Sequence, residues 1–466
     1  MFFRQYYLQC LSHASYLIGD ETTGRAVVVD PQRDVRQYVD DARDHGLTIE
    51  RVIETHFHAD FLSGHLELAK QTGAVISYGE AAEGASFPID ELAHGQRLSL
   101  GDVELEIRAT PGHTPESISI VVYEHAGDSV PYGVLTGDTL FIGDVGRPDL
   151  LASRGFTADE LARMLYRSTR EQLLTLPDET RVYPAHGAGS ACGKQLSTET
   201  VSTIGEQRRT NYALADMSED EFVRVVNEGQ PVAPLYFAFD AQRNREERDL
   251  LDEEEQPARL TLDEVLELQR RGAAVLDTRE AADYAHGHLR GSHEVGLGGR
   301  FAEYAGDVLR ADQDIVLVAE PGAALEAKIR LARIGFDRVV GVLDDHVRAF
   351  VEHPEVVERS SRLSASELRA RLDAAEVQLV DVRNPGEVST AGTIPGAVLL
   401  PLARITTARD VLDPARPTVA FCAGGYRSAI AASALAALGF DDVSDLLGGF
   451  EAWRAGGHPV SETAEV

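Results

Sequence analysis

The sequence predicts an α/β protein of about three domains, and three observations carry that expectation. Its 466 residues exceed what a single hydrophobic core ordinarily serves. Over the first 190 residues, strand-like apolar runs alternate with amphipathic helical segments. Beyond residue 257 the chain repeats itself at a constant interval.

In chain order, residues 25–30 (RAVVVD) and 51–55 (RVIET) read as strands that end in polar loops. Residues 65–72 (HLELAKQT) read as a helix closed by Gly73, since glycine suits the left-handed turn after a helix. Strands are expected again at 103–107, 117–123 and 132–136, and helical spacing returns at 158–174. Polar residues follow several of these strands directly, where α/β folds place their sites.

The charged run 243–256 (RNREERDLLDEEEQ) stops at Pro257 and reads as an exit linker or a solvated helix. A second junction falls at 352–362. The domains are accordingly drawn at 1–250, 257–355 and 362–466. In the repeat, LDTRE (276–280) matches VDVRN (380–384), and LARIGFDRVVGV (331–342) matches LAALGFDDVSDL (435–446). Asp277 and Asp381 are 104 residues apart, as are Gly335 and Gly439. Each copy reads as a small parallel-sheet domain.

Composition excludes several classes. An apolar content of 43% supports well-buried cores. A net charge of −32 and a pI near 4.8 oppose binding to nucleic acid, whose affinity rests on basic side chains against phosphates. The same charge opposes an anionic membrane surface. No stretch reaches the roughly 18 continuous apolar residues of a spanning helix. The first residues lack the long apolar core of a signal peptide, so a cytoplasmic protein is expected. Three cysteines (Cys10, Cys192, Cys422) are too few and scattered for a disulfide framework, and their thiols are expected free. Cys10 reads as structural. Nothing in the sequence decides for or against a homo-oligomer.

The residues that carry chemistry begin at Thr55-His-Phe-His-Ala-Asp60, directly after a strand. In extended chain, residues two apart point the same way, so His56 and His58 can converge with Asp60 close by. Pro111-Gly-His113-Thr114, Thr136-Gly-Asp138 and Tyr183-Pro-Ala-His186 follow. Any one histidine here would be unremarkable as a structural residue. The ordered set of imidazoles and carboxylates, each after a strand, suits Zn(II) or Fe(II) and does not suit a thiolate site. Cys192, six residues past His186, is either a small buried apolar side chain or a thiol that receives or relays sulfane sulfur.

This set resembles the metallo-β-lactamase superfamily over about the first 200 residues, which implies an αββα sandwich. Its hydrolases usually read HxHxDH, the last histidine serving a second metal. Phe61 stands there in this chain and cannot ligate, which favours a single metal. Asp60 and His186 remain, so spacing leaves room for a weak second site. THFHADFLSGH (55–65), PGHT, TGD, GDVGRPDL (143–150), YPAH, QRRTNYAL and PLYFAFDAQRNRE resemble the persulfide dioxygenase branch more closely still. That resemblance implies one Fe(II) per chain held by His56, His113 and Asp138. His58, Asp60 and His186 would orient ligands or substrate. Arg147 and Asp149 match positions on the substrate side: Arg147 would pair with a substrate anion, or the two form a surface salt bridge.

The third domain carries Phe421-Cys422-Ala423-Gly424-Gly425-Tyr426-Arg427-Ser428 between a strand and a helix. A cysteine opening a glycine-permitted loop at a helix start meets backbone N–H groups that stabilise an anionic sulfur, and Arg427 adds a fixed positive charge. The segment resembles the rhodanese active loop, with Asp381–Arg383 and the IPGA element (394–397) flanking it and Thr393 where the family usually has histidine. A phosphatase loop would hold one more residue between cysteine and arginine. At the constant offset, Val318 lies opposite Cys422 and Ala323 opposite Arg427, so the middle copy reads as an unarmed rhodanese.

Together the resemblances imply oxidation by O2 of a low-molecular-weight persulfide, on glutathione or another thiol, to sulfite. Transfer of sulfane sulfur to sulfite at Cys422 would then give thiosulfate. The alternatives are a zinc-dependent glutathione thiolester hydrolase with an appended sulfurtransferase, which Phe61 disfavours, and a non-catalytic sulfur carrier.

Overall fold

Residues 1–150 and 155–462 are described by the computed structural model. The chain divides into two units, Met1–Gln230 with Phe237–Leu251, and Pro231–Tyr236 with Asp252–Val466.

In the first unit two six-stranded sheets face each other, and each runs through its strands in sequence order. Strand alternation explains the layering. Tyr16 and Ile18, with Val27 and Val29, turn inward to meet Ile107, Ile120, Val122 and Leu135 of the other sheet. Their neighbours Leu17, Ala26 and Val28 turn outward onto Tyr38 and Ala42 of the helix Arg36–Asp44 and Leu68 of the helix His65–Thr72. On the far side Val121, Val134 and Val182 meet Leu165 of the helix Ala158–Arg167 and Phe222 of the helix Glu219–Asn227. Sheets buried on both faces need apolar runs rather than alternation, which is what 25–30 and 117–123 supply. The result is the expected αββα sandwich. Gly73 closes its helix at φ +76°, in the left-handed region. The helix expected over 158–174 is α-helical only to Arg167 and continues as a π-helix over Ser168–Leu173.

The second unit holds two five-stranded sheets with matching strand orders. In both, an arginine two residues past the strand aspartate turns back onto it: Arg279 on Asp277, and Arg383 on Asp381. The repeat is therefore real in three dimensions, but its register corrects one alignment. Asp277 pairs with Val318 and Asp381 pairs with Phe421, so Ala319, not Val318, is the counterpart of Cys422. Gly322 and Gly425, both at positive φ, then correspond, and Ala324 replaces Arg427. The offset across the loop is 103, not 104, because the chain between the two paired strands is one residue longer in the middle copy. The conclusion that this copy is unarmed stands. None of the three cysteines is in a disulfide. Among the described residues, no helix is long and apolar enough to cross a membrane.

Candidate metal centre and sulfur-transfer loop

The strand Thr48–Ile53 delivers the HxHxD segment to the end of the first sheet. Thr55 donates from its amide and its hydroxyl to Asp30, at 2.7 and 2.9 Å. With its one hydroxyl proton so used, Thr55 Oγ1 accepts from His56 Nδ1 at 3.0 Å, which leaves the lone pair on His56 Nε2. His113 is set the same way: Nδ1 donates to the Arg147 carbonyl at 2.9 Å, leaving Nε2. Asp138 follows the strand Gly133–Gly137. His113 Nε2 and His56 Nε2 lie 3.4 and 3.9 Å from Asp138 Oδ2, and one ligand atom from each of the three residues falls within 4.8 Å of the others.

These atoms are buried, and neither His56 Nε2 nor either Asp138 oxygen has a hydrogen-bond partner of normal geometry. Such groups are costly unless something satisfies them, and a cation does. Burial pushes His113 down to about 4 and Asp138 up to about 6, so the imidazoles are held neutral, as ligands must be. Two nitrogens and one carboxylate form the facial set that leaves coordination positions open. The residues fit a single divalent ion.

His58, Asp60 and His186 form a second group within 4.8 Å, with His186 Nε2 3.2 Å from Asp60 and 3.4 Å from Asp138 Oδ1. His58 differs from His56. Its Nε2 faces Asp30 at 3.1 Å and Glu54 at 3.5 Å, and although burial opposes its charge, these carboxylates raise it well above the ordinary histidine range. Phe61 fills the motif's last position as a buried ring, 3.9 Å from the His13 ring and 4.4 Å from that of His58.

Cys192 is not core filler at a distance from the site. It forms a third group with Asp138 and His186, and burial, reinforced by Asp60 and Asp138, holds its thiol well up. Arg147 is buried rather than at the surface. Its Nε and Nη2 each donate to Asp149 at 2.7 Å, and Nη1 donates to the Ala191 carbonyl at 3.1 Å. Its amide also donates to the Cys192 carbonyl at 2.9 Å, so Arg147 ties together the two loops bearing His113 and Cys192.

The charged run 243–256 is not the solvated linker expected. Its first part returns into the first unit. Asn244 Nδ2 donates to the carbonyls of His58 and Phe61, 2.8 Å each, and its Oδ1 accepts from Ser63 N at 2.9 Å. Arg248 pairs with Glu67 at 3.2 Å, and Arg33 meets the same carboxylate at 3.1 Å. The metal loop is thus gripped by residues almost two hundred positions away, and charge alone hid them. Their one sequence signal was the QRNRE match.

In the second unit the strand Thr418–Phe421 ends at Cys422, and Gly425 turns the chain at φ +107° into the helix Tyr426–Ala437. Gly425 N donates to Cys422 Sγ at 3.1 Å, and Ser428 Oγ lies 3.7 Å from the sulfur. Arg427 forms two bonds of 2.7 Å with Glu387, so its fork is held ready beside the loop. The sequence reading missed the loop's floor. Phe450 N and Glu451 N donate to the carbonyls of Cys422 and Ala423, at 2.7 and 3.0 Å. Any Cβ at Gly449 would stand 2.4 Å from the Cys422 oxygen, so only glycine fits there.

Comparison with known proteins agrees with this geometry. The family described as metallo-beta-lactamase superfamily matches residues 8–186, and the rhodanese-like domain family matches 261–353 and 364–456. A metallo-beta-lactamase from Staphylococcus aureus shares the fold at a TM-score of 0.66 and 35% identity, over 73% of this chain and 98% of that one. The fold and site thus define a metallo-β-lactamase domain followed by two rhodanese-like domains. The mitochondrial persulfide dioxygenase ETHE1 of Bos taurus is 32% identical over 238 residues, 49% of this chain and 82% of that protein. A cytoplasmic hydroxyacylglutathione hydrolase of Arabidopsis thaliana is 32% identical over 39% of this chain and 66% of its own length. The chain belongs to the persulfide dioxygenase family of the metallo-β-lactamase superfamily, in a fusion with rhodanese-like domains.

Proposed function

We propose that this chain is an iron-dependent persulfide dioxygenase joined to a working sulfurtransferase. The overall reaction at the first site would be RSSH + O2 + H2O giving RSH, sulfite and protons. The second would join sulfite to the sulfane sulfur of another persulfide, releasing RSH and giving thiosulfate. The observation that carries the first half is the buried triad of His56, His113 and Asp138, two neutral imidazoles and one carboxylate, beside a phenylalanine that removes the usual second-metal ligand.

An Fe(II) ion held by these three residues would supply redox chemistry with O2 that Zn(II) cannot. The chain's own groups do the rest. Thr55 and the Arg147 carbonyl fix the tautomers of His56 and His113, so both rings present Nε2. His186 Nε2, close to Asp60 and Asp138, is placed to hold or move a proton. Cys192 clusters with Asp138 and His186 and would meet sulfane sulfur there. Arg147 is engaged by Asp149, so it would act by fixing the loops of His113 and Cys192, and direct capture of an anion would require breaking that pair.

At the second site Cys422 accepts sulfane sulfur from a persulfide as its Sγ displaces the thiol RSH. The Gly425 amide, which donates to Sγ, would favour the anionic persulfide, and Arg427, paired with Glu387 through Nη1 and Nη2, keeps Nε for the sulfite that takes the sulfur. The reading places this work in the cytoplasm, with glutathione persulfide or a similar small thiol persulfide as substrate. The test is Cys422→Ser: oxygen uptake should persist while the product shifts from thiosulfate to sulfite. Thiosulfate at the wild-type rate, above a control of added sulfite without enzyme, would remove Cys422 from the pathway.

A further inference from the structure

The middle repeat has lost its cysteine and its arginine, yet it grips the armed loop of the other repeat. The contact is a short strap, residues 296–299 (GLGG), just past the strand His293–Glu294. Tyr426 is the first residue of the helix that closes the Cys422 loop, and its hydroxyl donates to the strap carbonyls of Gly296 and Gly298, at 2.7 and 2.9 Å. The intervening carbonyls point the other way. Leu297 O and Gly299 O both accept from the guanidinium of buried Arg330, on the helix Ala324–Ala332. Each carbonyl of the strap is therefore committed, alternately to the armed repeat and to the unarmed one.

The strap lies against the Tyr426 ring: a Cβ on Gly296 or Gly299 would stand 3.7 and 3.6 Å from it, ordinary contact distances, and Gly299 alone turns at positive φ, +56°. Two more contacts fix the same helix. Tyr304, on the helix Phe301–Val308 of the middle repeat, meets the Tyr426 ring edge-on with centroids 5.5 Å apart. Seven residues further along, Ser433 Oγ accepts from the Glu294 amide at 2.9 Å. The amide that donates to Cys422 Sγ belongs to Gly425, the residue directly before Tyr426.

From this we infer that the unarmed repeat is the positioning half of the sulfur-transfer site: its Gly296–Gly299 strap, braced by Arg330, holds Tyr426 and through it the Gly425 amide that donates to the Cys422 sulfur. Tyr426 is a positioning residue here. The inference rests on the reading of Cys422 as the sulfur-transfer residue and adds a role for the repeat that has no chemistry of its own.

The experiment uses the full chain with two substitutions, Tyr426→Phe and Arg330→Lys. Phenylalanine keeps the ring and removes only the hydroxyl. Lysine keeps the charge of Arg330 but cannot bond both carbonyls in a fork. Two measurements are made: transfer of sulfur from thiosulfate to cyanide, and hydrogen–deuterium exchange of the peptide spanning 422–428. Because Glu387 orients Arg427 independently, anion capture should survive while sulfur stabilisation suffers. Tyr426→Phe should lower kcat about ten-fold with thiosulfate KM changed less than about two-fold, and speed exchange of the loop amides about ten-fold. Arg330→Lys should act in the same direction from a distance. The double variant should be no worse than Tyr426→Phe alone, because both act through one strap. Wild-type kcat and wild-type exchange in Tyr426→Phe would overturn the inference, as would losses that multiply in the double variant. If the wild type moved no sulfur that Cys422→Ser abolishes, the sulfur-transfer reading would fall. Exchange alone would then decide whether the strap positions the loop: faster in Tyr426→Phe upholds it, unchanged rejects it.

Discussion

Replacing Glu294 with glutamine should change how the stability of the second unit depends on pH. Glu294 ends a strand of the middle repeat and is buried; Oε1 accepts from Gly296 N at 2.9 Å, and Oε2 has no partner. Burial pushes its carboxyl up to about 8, Asp277 and Asp445 add to the rise, and Arg362 opposes it. An unfolded glutamate titrates near 4.5. Between those values the folded state keeps a proton that the unfolded state has released. Fewer protons on the unfolded chain mean that stability falls as pH rises across this window, by about 1.4 kcal/mol per unit. From pH 5 to pH 7 the cost is about 2–3 kcal/mol. Glutamine can accept the same Gly296 bond but has no proton to lose, so the variant lacks this slope. The single tryptophan, Trp453, is buried in the same unit and reports its unfolding in denaturant. The advantage of Glu294→Gln over the wild type should grow by about 2–3 kcal/mol between pH 5 and pH 7. A difference that stays constant across that range would show that Glu294 is already ionised in the folded protein.

Three further outcomes follow from the geometry. Cys422→Ser should retain oxygen uptake while thiosulfate, measured by ion chromatography at early times, falls at least about ten-fold and sulfite accumulates. Arg427→Ala should shift products the same way less completely, because the Gly425 amide still holds the sulfur; equal thiosulfate yields in wild type and variant would contradict this. Asn244→Ala removes the bonds to the carbonyls of His58 and Phe61 and should weaken metal retention about ten-fold or more, seen as faster metal loss to a chelator, with no change at Cys422.

Much of this architecture was legible because motifs with a physical reason are local. HxHxD after a strand, PGHT, TGD and PAH name the residues that converge, and the CAGGYRS loop between strand and helix names the cysteine cradle. The αββα layers were implied by the family resemblance, and the apolar runs have the length that a doubly buried sheet requires. What stayed hidden was set by distant partners. Asn244 and Arg248 sit in a run whose charge looked solvated, yet Glu67 and the backbone of the metal loop draw them inside. Glu294 and the GLGG strap acquire meaning only against Tyr426. The repeat offset slipped by one because a uniform interval cannot see the extra residue that the middle copy carries between its paired strands, which strand pairing reveals at once. Of the two roles that sequence left open for Arg147, the salt bridge with Asp149 is formed, and what sequence could not tell is that the arginine is buried.

The central claim is a single iron doing oxygen chemistry on a persulfide at His56, His113 and Asp138. It is tested most directly by metal content and oxygen consumption on one sample of protein produced with ample iron and given glutathione persulfide. The account predicts about one iron per chain, oxygen uptake that depends on the persulfide, and loss of both metal and uptake in His113→Ala while the chain stays folded. Two tightly held zinc ions per chain, with no oxygen uptake and rapid hydrolysis of a glutathione thiolester, would contradict it.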